Sequence, residues 1–280
     1  MTRLFGIIGS PITHSLSPAM HTAAFRALQL DAAYTPLNVS LASMEPMLRA
    51  FILAGVEGLN VTVPLKEAVM PLLDDIDPSA KAIGAVNTIV IRRRKTVGYN
   101  TDGIGFVRAV TELGWRSKPV RAVVLGAGGA ARAVAWELAR LRGSDVTIAN
   151  RNLRRAERLA HWLARAQRRC RVHVVPLRKV RLERATLLVN ATTVGMRASD
   201  DLLIDPSSLR RGLAVYDLVY HRETPLVDAA RRRGCVAANG LSMLLYQGGE
   251  SFRLWFRRSP PLQVMRQALQ KELHAQHASR

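Results

Sequence analysis

Two hydrophobic periods take turns along the chain. Short apolar runs rich in β-branched residues predict strands at residues 4–8, 33–39, 58–63, 85–92 and 96–99, and again at 120–125, 145–149, 172–175, 186–190, 213–217 and 235–237. Between them, apolar residues three and four apart predict helices at 18–28, 44–53, 104–113, 130–141, 153–165 and 224–233, with a short helix beginning near Leu65. Two further helices, 241–256 and 261–273, have no strand after them. Such alternation predicts parallel sheets covered by helices on both faces. It is interrupted once, by a hairpin over 85–99 that turns at Arg92-Arg93-Arg94-Lys95, and it restarts after the helix at 104–113. The expected fold class is α/β with two domains. Residues 1–103 form a mostly parallel α/β sheet domain, 104–239 a second domain, and the C-terminal helices of 240–280 pack back on the first.

The second domain opens on Val120-Arg121-Ala122-Val123-Val124-Leu125-Gly126-Ala127-Gly128-Gly129-Ala130-Ala131, a strand, a tight turn and a helix start. Gly126 permits the turn, the missing Cβ of Gly128 lets a pyrophosphate approach the backbone, and Ala131 is small enough for helix and strand to pack closely. The free N–H groups of the helix start then face the anion. This context favours a Rossmann-like dinucleotide site over a plain βα turn. At the end of the next strand an NAD enzyme would place an acid for the ribose 2′-hydroxyl. Here stand Asn150 and Arg151, with Arg154 and Arg155 on the following turn and no acid before Glu157. Arginine forks grip a 2′-phosphate, so the expected cofactor is NADP.

Composition narrows the class further. A hydrophobic content of 48% with 22% charged residues describes a globular chain. No apolar run approaches a membrane span, and the start reads as a strand rather than a signal peptide, so a cytoplasmic protein without membrane partners is expected. Two cysteines, Cys170 and Cys235, make no disulfide framework, and the seven histidines show no metal-ligand spacing, so no metal is expected. The net charge of +20 raises a rival reading, a nucleic-acid-binding or regulatory protein on a Rossmann scaffold. Yet only six of the 41 basic residues are lysines, and the basic stretch between Arg140 and Arg184 holds a single Trp, Trp162, and no Phe or Tyr, not the interleaved set of stacking aromatics that single-strand binders use. A solvated basic surface without a specific nucleic-acid partner is expected, in a monomer or homodimer.

Candidate chemistry concentrates in the first half. Ser15 and Ser17 precede Pro18 directly after the first strand, where Ser17 reads either as a helix N-cap or, with Ser15, as a carboxylate site. His14 and His21 have no visible partner and read as surface. In Asn60-Val61-Thr62-Val63-Pro64-Leu65-Lys66 the polar Asn60 and Thr62 share one face of a strand end, as a pocket requires. Lys66 falls in the expected first helical turn, where a cation opposes the helix dipole; it is either exposed beside Glu67 or functional. Asn87 sits inside a predicted strand, which suits Asn poorly. Asp102 precedes a helix that it could merely cap, and Gln247 lies on the polar edge of an apolar helix.

These residues fall in ordered motifs along nearly the whole chain. The motifs are Ser15-Leu16-Ser17-Pro18 with His21, Asn60-Val61-Thr62-Val63-Pro64-Leu65-Lys66, Gly84-Ala85-Val86-Asn87-Thr88, Asn100-Thr101-Asp102-Gly103 and the glycine-rich turn. Asn150-Arg151, Asn190-Ala191-Thr192-Thr193-Val194-Gly195-Met196, Asp217-Leu218-Val219-Tyr220 and Gly240 with Gln247 follow. In them the chain resembles the shikimate dehydrogenase family. The resemblance implies a catalytic pair, Lys66 and Asp102, and a shikimate site of Ser15, Ser17, Asn60, Thr62, Asn87, Asp102, Tyr220 and Gln247. It also implies NADP contacts from Gly126, Ala127, Gly128, Gly129, Ala130, Asn150, Arg151, Asn152, Arg155, Thr192, Leu218 and Gly240. The implied reaction is reversible hydride transfer between NADPH and 3-dehydroshikimate, with a quinate/shikimate dehydrogenase using NAD or NADP as the near alternative. Two positions depart from the family pattern: Asn152 stands where Thr is usual, and Asn239 where many members carry Asp.

Overall fold

Strands rich in Val, Ile and Leu bring together residues far apart in the chain, and they do so in two separate sheets. The structure, a computed structural model, describes residues 1–115, 119–197 and 199–278. The chain divides into two units: Met1–Gly105 with Leu244–Arg280, and Phe106–Met243.

The first unit holds β1 (Arg3–Gly9), α1 (Ser17–Ala27), β2 (Ala32–Asn38), α2 (Met44–Leu53), β3 (Val56–Val61), β4 (Asp75–Ile76), α3 (Pro78–Ile83), β5 (Thr88–Arg92) and β6 (Lys95–Tyr99). Its sheet runs β2-β1-β3-β5-β6-β4. β1 pairs parallel with both β2 and β3, and the β5–β6 hairpin adds antiparallel to β3. Ile8, Leu59, Val61, Leu65, Val69 and Ile89 fill the core beneath the strand ends. α4 (Asp102–Glu112) leads the chain out of this unit.

The second unit contains β7 (Arg121–Leu125), α5 (Gly129–Arg140), β8 (Asp145–Asn150), α6 (Leu153–Ala166), β9 (Arg171–Pro176), β10 (Leu187–Asn190), β11 (Ala214–Asp217), α7 (Pro225–Arg232) and β12 (Val236–Asn239). All its strand pairs are parallel, in the order β12-β11-β10-β7-β8-β9. That is the doubly wound Rossmann order, whose reversal lies between β7 and β10, where β7 ends on the glycine-rich turn. α8 (Leu241–Phe256) leads back, and α9 (Leu262–Ala278) packs on α1 in the first unit.

Several expectations need correction. No helix begins at Leu65; residues 63–69 turn irregularly into a single 3-10 turn at Met70–Leu72. In a helix the Lys66 carbonyl would accept from residue 70, but it accepts from the Val86 N–H instead at 2.8 Å. Asn87 stands just before β5 rather than inside a strand. α1 starts at Ser17 itself, so Ser17 is not its N-cap; Leu16 holds that position and offers no side-chain cap. β4 and α3 were not expected, although Asp77-Pro78 is a cap followed by Pro at the first helical position, and Asp77 does accept from the Ser79 N–H. α9 runs beyond the expected end at residue 273, as far as Ala278. His21 is not a surface residue: it is fully buried, stacked on Tyr34 with ring centroids 4.5 Å apart. Helical spacing from Met20, Ala24 and Phe25 turns it inward.

Among the described residues no helix is long and apolar enough to cross a membrane, and no cluster of His, Cys, Asp or Glu could hold a metal ion.

Candidate active site

Lys66 and Asp102 arrive from different directions and meet. Buried Leu65 and Val69 anchor the irregular turn that carries Lys66, and the hydrogen bond from Val86 ties it to the segment before β5. Asp102 is the first residue of α4, and its own N–H donates to Asn100 Oδ1 at 3.1 Å. Asn100 thus satisfies this helix start, leaving the Asp102 carboxylate free to turn inward. Lys66 Nζ donates to Asp102 Oδ2 at 2.5 Å, and the two side chains are only 14% and 6% exposed. Few waters can reach this pair, so its electrostatics are stronger than at an open surface.

Around the pair lies a dense polar cluster. Asn87 Nδ2 donates to Asp102 Oδ1 and Thr101 Oγ1, both at 2.9 Å, and to Gln247 Oε1 at 3.2 Å. Ser15 is half-buried and Ser17 buried, and Ser15 Oγ accepts from the Ser17 N–H at 3.3 Å. The Ser17 N–H is thus engaged and Pro18 has none, so the hydroxyls of Ser15 and Ser17 are the donors that the start of α1 offers an anion. Thr62 lies one residue beyond β3 and is half-buried. Asn60 differs from the rest: it is 4% exposed and every polar end is engaged within the fold. Tyr220 belongs to the other unit. Sequence reasoning missed Tyr34, Thr88, Thr101 and Ser251. Only Ser251, one helical turn after Gln247 on α8, carried a readable signal.

In the second unit, Gly126 has φ +113° and a Cβ there would stand 2.8 Å from the Ala191 carbonyl oxygen, so only glycine fits. A Cβ on Gly128 would meet nothing within 4 Å, and Gly128 gives α5 no side-chain cap. Open space in front of uncapped N–H groups is what a pyrophosphate needs. Ala127, Gly129 and Ala130 complete the turn. Asn150 closes β8 and donates to the Asn152 carbonyl at 2.8 Å, while Asn152 Oδ1 caps α6 by accepting from the Arg155 N–H. The departure from Thr at 152 therefore keeps a capping oxygen. Arg151, Arg154 and Arg155 are exposed, with no side-chain hydrogen bond or ion pair among the described residues. Thr192 spends its hydroxyl inside its loop, donating to Asn190 Oδ1 and accepting from the Val194 N–H. Leu218 and Gly240 touch, since a Cβ on Gly240 would lie 2.2 Å from the Leu218 carbonyl oxygen. Asn239, the other departure, accepts from the Leu241 N–H and so caps α8.

Three family models match in order: the shikimate dehydrogenase substrate binding domain at residues 7–89, shikimate / quinate 5-dehydrogenase at 109–212, and the shikimate 5'-dehydrogenase C-terminal domain at 240–270. The chain belongs to the shikimate dehydrogenase family. A shikimate dehydrogenase (NADP(+)) from Symbiobacterium thermophilum is 44% identical, over 98% of this chain and 96% of its own. A solved shikimate dehydrogenase in complex with NADP+ superposes with a TM-score of 0.91 at 38% identity, covering 97% of this chain and 96% of that one. A quinate dehydrogenase from Corynebacterium glutamicum in complex with NAD gives 0.87 at 36%, covering 96% and 99%.

Proposed function

We infer that this chain is an NADP-dependent shikimate dehydrogenase, reducing 3-dehydroshikimate to shikimate and running the reverse reaction. The observation that carries the reading is the shielded Lys66–Asp102 pair. NADPH, when bound, supplies the hydride for the ring ketone. The negative charge that develops on the carbonyl oxygen needs a positioned proton donor, and the Lys66 ammonium is one; Asp102 holds it in place. In the oxidative direction neutral Lys66 takes the hydroxyl proton. Thr62, Asn87, Asp102, Tyr220 and Gln247 are the further groups assigned to the substrate, and Ser15 with Ser17 to its carboxylate. The partner is thus a small molecule, and the assembly a monomer or homodimer in the cytoplasm.

The test is a steady-state assay of NADPH absorbance, crossing shikimate and quinate with NADP and NAD. Turnover of shikimate with NADP supports the reading; preference for quinate with NAD would replace it by the quinate dehydrogenase alternative. Ser15→Ala should raise KM for shikimate several-fold while leaving KM for NADP unchanged, because the lost hydroxyl faces the carboxylate alone. A shift in KM for NADP instead would remove Ser15 from the substrate.

Cofactor choice rests on the unpartnered arginines after β8. Arg151→Ala should weaken NADP by about 10- to 100-fold, the worth of one charge-assisted phosphate contact, and change KM for NAD little. Equal losses for both cofactors would show that Arg151 does not read the 2′-phosphate.

A further inference from the structure

We propose that Tyr34, Asn60 and Ser251 are positioning residues that fix the Asp102 carboxylate, and through it the Lys66 ammonium, by way of the Asn87 side chain. The proposal rests on the dehydrogenase reading above and assigns a reason for a buried polar network that substrate binding does not require.

The chain of contacts has only one sensible orientation. The Thr101 N–H can only donate, and it meets Asn87 Oδ1 at 2.8 Å. That places the Asn87 amide nitrogen toward Asp102, where it reaches Oδ1 at 2.9 Å. Asp102 therefore offers one oxygen to Asn87 and the other to Lys66. Rotation of this carboxylate would break both bonds at once, so whatever locks Asn87 also locks the proton donor.

Asn60 supplies that lock from behind. The Asn87 carbonyl can only accept, so the Asn60 amide nitrogen must face it, at 3.3 Å; the same nitrogen lies 2.9 Å from Ser251 Oγ and 3.2 Å from Thr88 Oγ1. Asn60 Oδ1 accepts the Tyr34 hydroxyl at 2.7 Å. Ser251, wholly buried on α8, also meets Thr88 Oγ1 at 2.7 Å, and Thr88 Oγ1 in turn donates to Asn87 Oδ1 at 3.0 Å. Asn60, Thr88, Thr101 and Ser251 are all at most 4% exposed and spend their polar atoms on one another and on Asn87, so this layer lies behind Asn87 rather than against the substrate. Apolar side chains of the same shape can fill such a space with little change in stability. A fully satisfied polar network instead fixes a single geometry.

The experiment removes one hydroxyl at a time, with Ser251→Ala and Tyr34→Phe, each made alone and in combination with Asp102→Asn. Each single variant should lower kcat about tenfold, the loss of one buried hydrogen bond, while KM for NADP stays unchanged. In the Asp102→Asn background the same substitutions should cost less than about twofold, because the group they position is already altered. Losses of equal size in both backgrounds, or no loss of kcat at all, would overturn the proposal. So would failure of both variants to fold, since the network would then serve the fold alone. An unaltered protein inactive on shikimate with NADP would refute the function and is read separately.

Discussion

Lys66→Ala should reduce kcat by roughly two to four orders of magnitude, the usual range for an acid–base group, with little change in KM for shikimate. Lys66 Nζ is the cation bonded to Asp102, and the two side chains are only 14% and 6% exposed, so the pair is shielded from water. The substitution also strands a carboxylate that is 6% exposed, with Asn87 as its remaining side-chain donor. Removing one partner of a buried pair costs about 3 kcal/mol, so thermal unfolding should shift downward as well. Rates must therefore be measured at a temperature where the variant is folded, with near-ultraviolet circular dichroism as the check. Near-full kcat in folded protein would remove Lys66 from the chemistry and leave the pair a structural ion pair.

Lys66 stands out in the sequence as a cation misplaced at a helix start, yet no helix begins there. The tertiary hydrogen bond from Val86 captures the carbonyl that a helix would use. Pattern reading sees only local competition, and this competitor lies twenty residues away. Asn87 was noticed for a similar reason, as a residue ill-suited to a strand. It proves to stand outside β5 with both amide ends engaged, so the misfit was informative even though its cause was misread.

The Rossmann unit was far more legible. Its strands are short runs rich in Val, Leu and Ala and its α-helices are amphipathic, so strand-length apolar runs and the 3.6 period place each strand and α-helix to within a residue or two. The glycine-rich turn announces the ligand end of the sheet because Gly126 sits where no other residue fits. The network behind Asp102 was not legible. Asn60 on β3 stands out in the sequence only as a pocket residue, and Tyr34 on β2 and Ser251 on α8 do not stand out: a hydroxyl in an apolar element reads as polar edge until the fold shows what it meets. His21 fell to the same limit. A histidine on a helix gives no sign of which face will be covered, and α8 and β2 are the elements that cover it.

That burial carries the second large expectation, a loss of stability in mild acid traceable to one side chain. His21 is fully buried among Phe25 on α1, Tyr34 on β2 and Trp255 on α8, and neither ring nitrogen reaches hydrogen-bonding geometry with any of the described residues. Burial pushes its pKa down from 6.5 to about 3, against a weaker upward pull from the neighbouring Asn60 side chain. In the native protein His21 stays neutral down to that value, whereas in the unfolded chain it takes up a proton near pH 6.5. The unfolded state thus binds more protons between these limits, and stability falls as pH drops through the window. At about 1.4 kcal/mol per unit, the loss from this one residue reaches about 2 kcal/mol by pH 5 and about 4 kcal/mol near pH 3. His21→Phe keeps an aromatic ring for the stack and cannot be protonated. Urea unfolding at pH 7.5 and pH 5 should therefore show a fall in stability that is about 2 kcal/mol smaller in the variant, all other titrating groups being shared. Identical falls in the two proteins would mean that His21 finds a proton-stabilising partner in the native state.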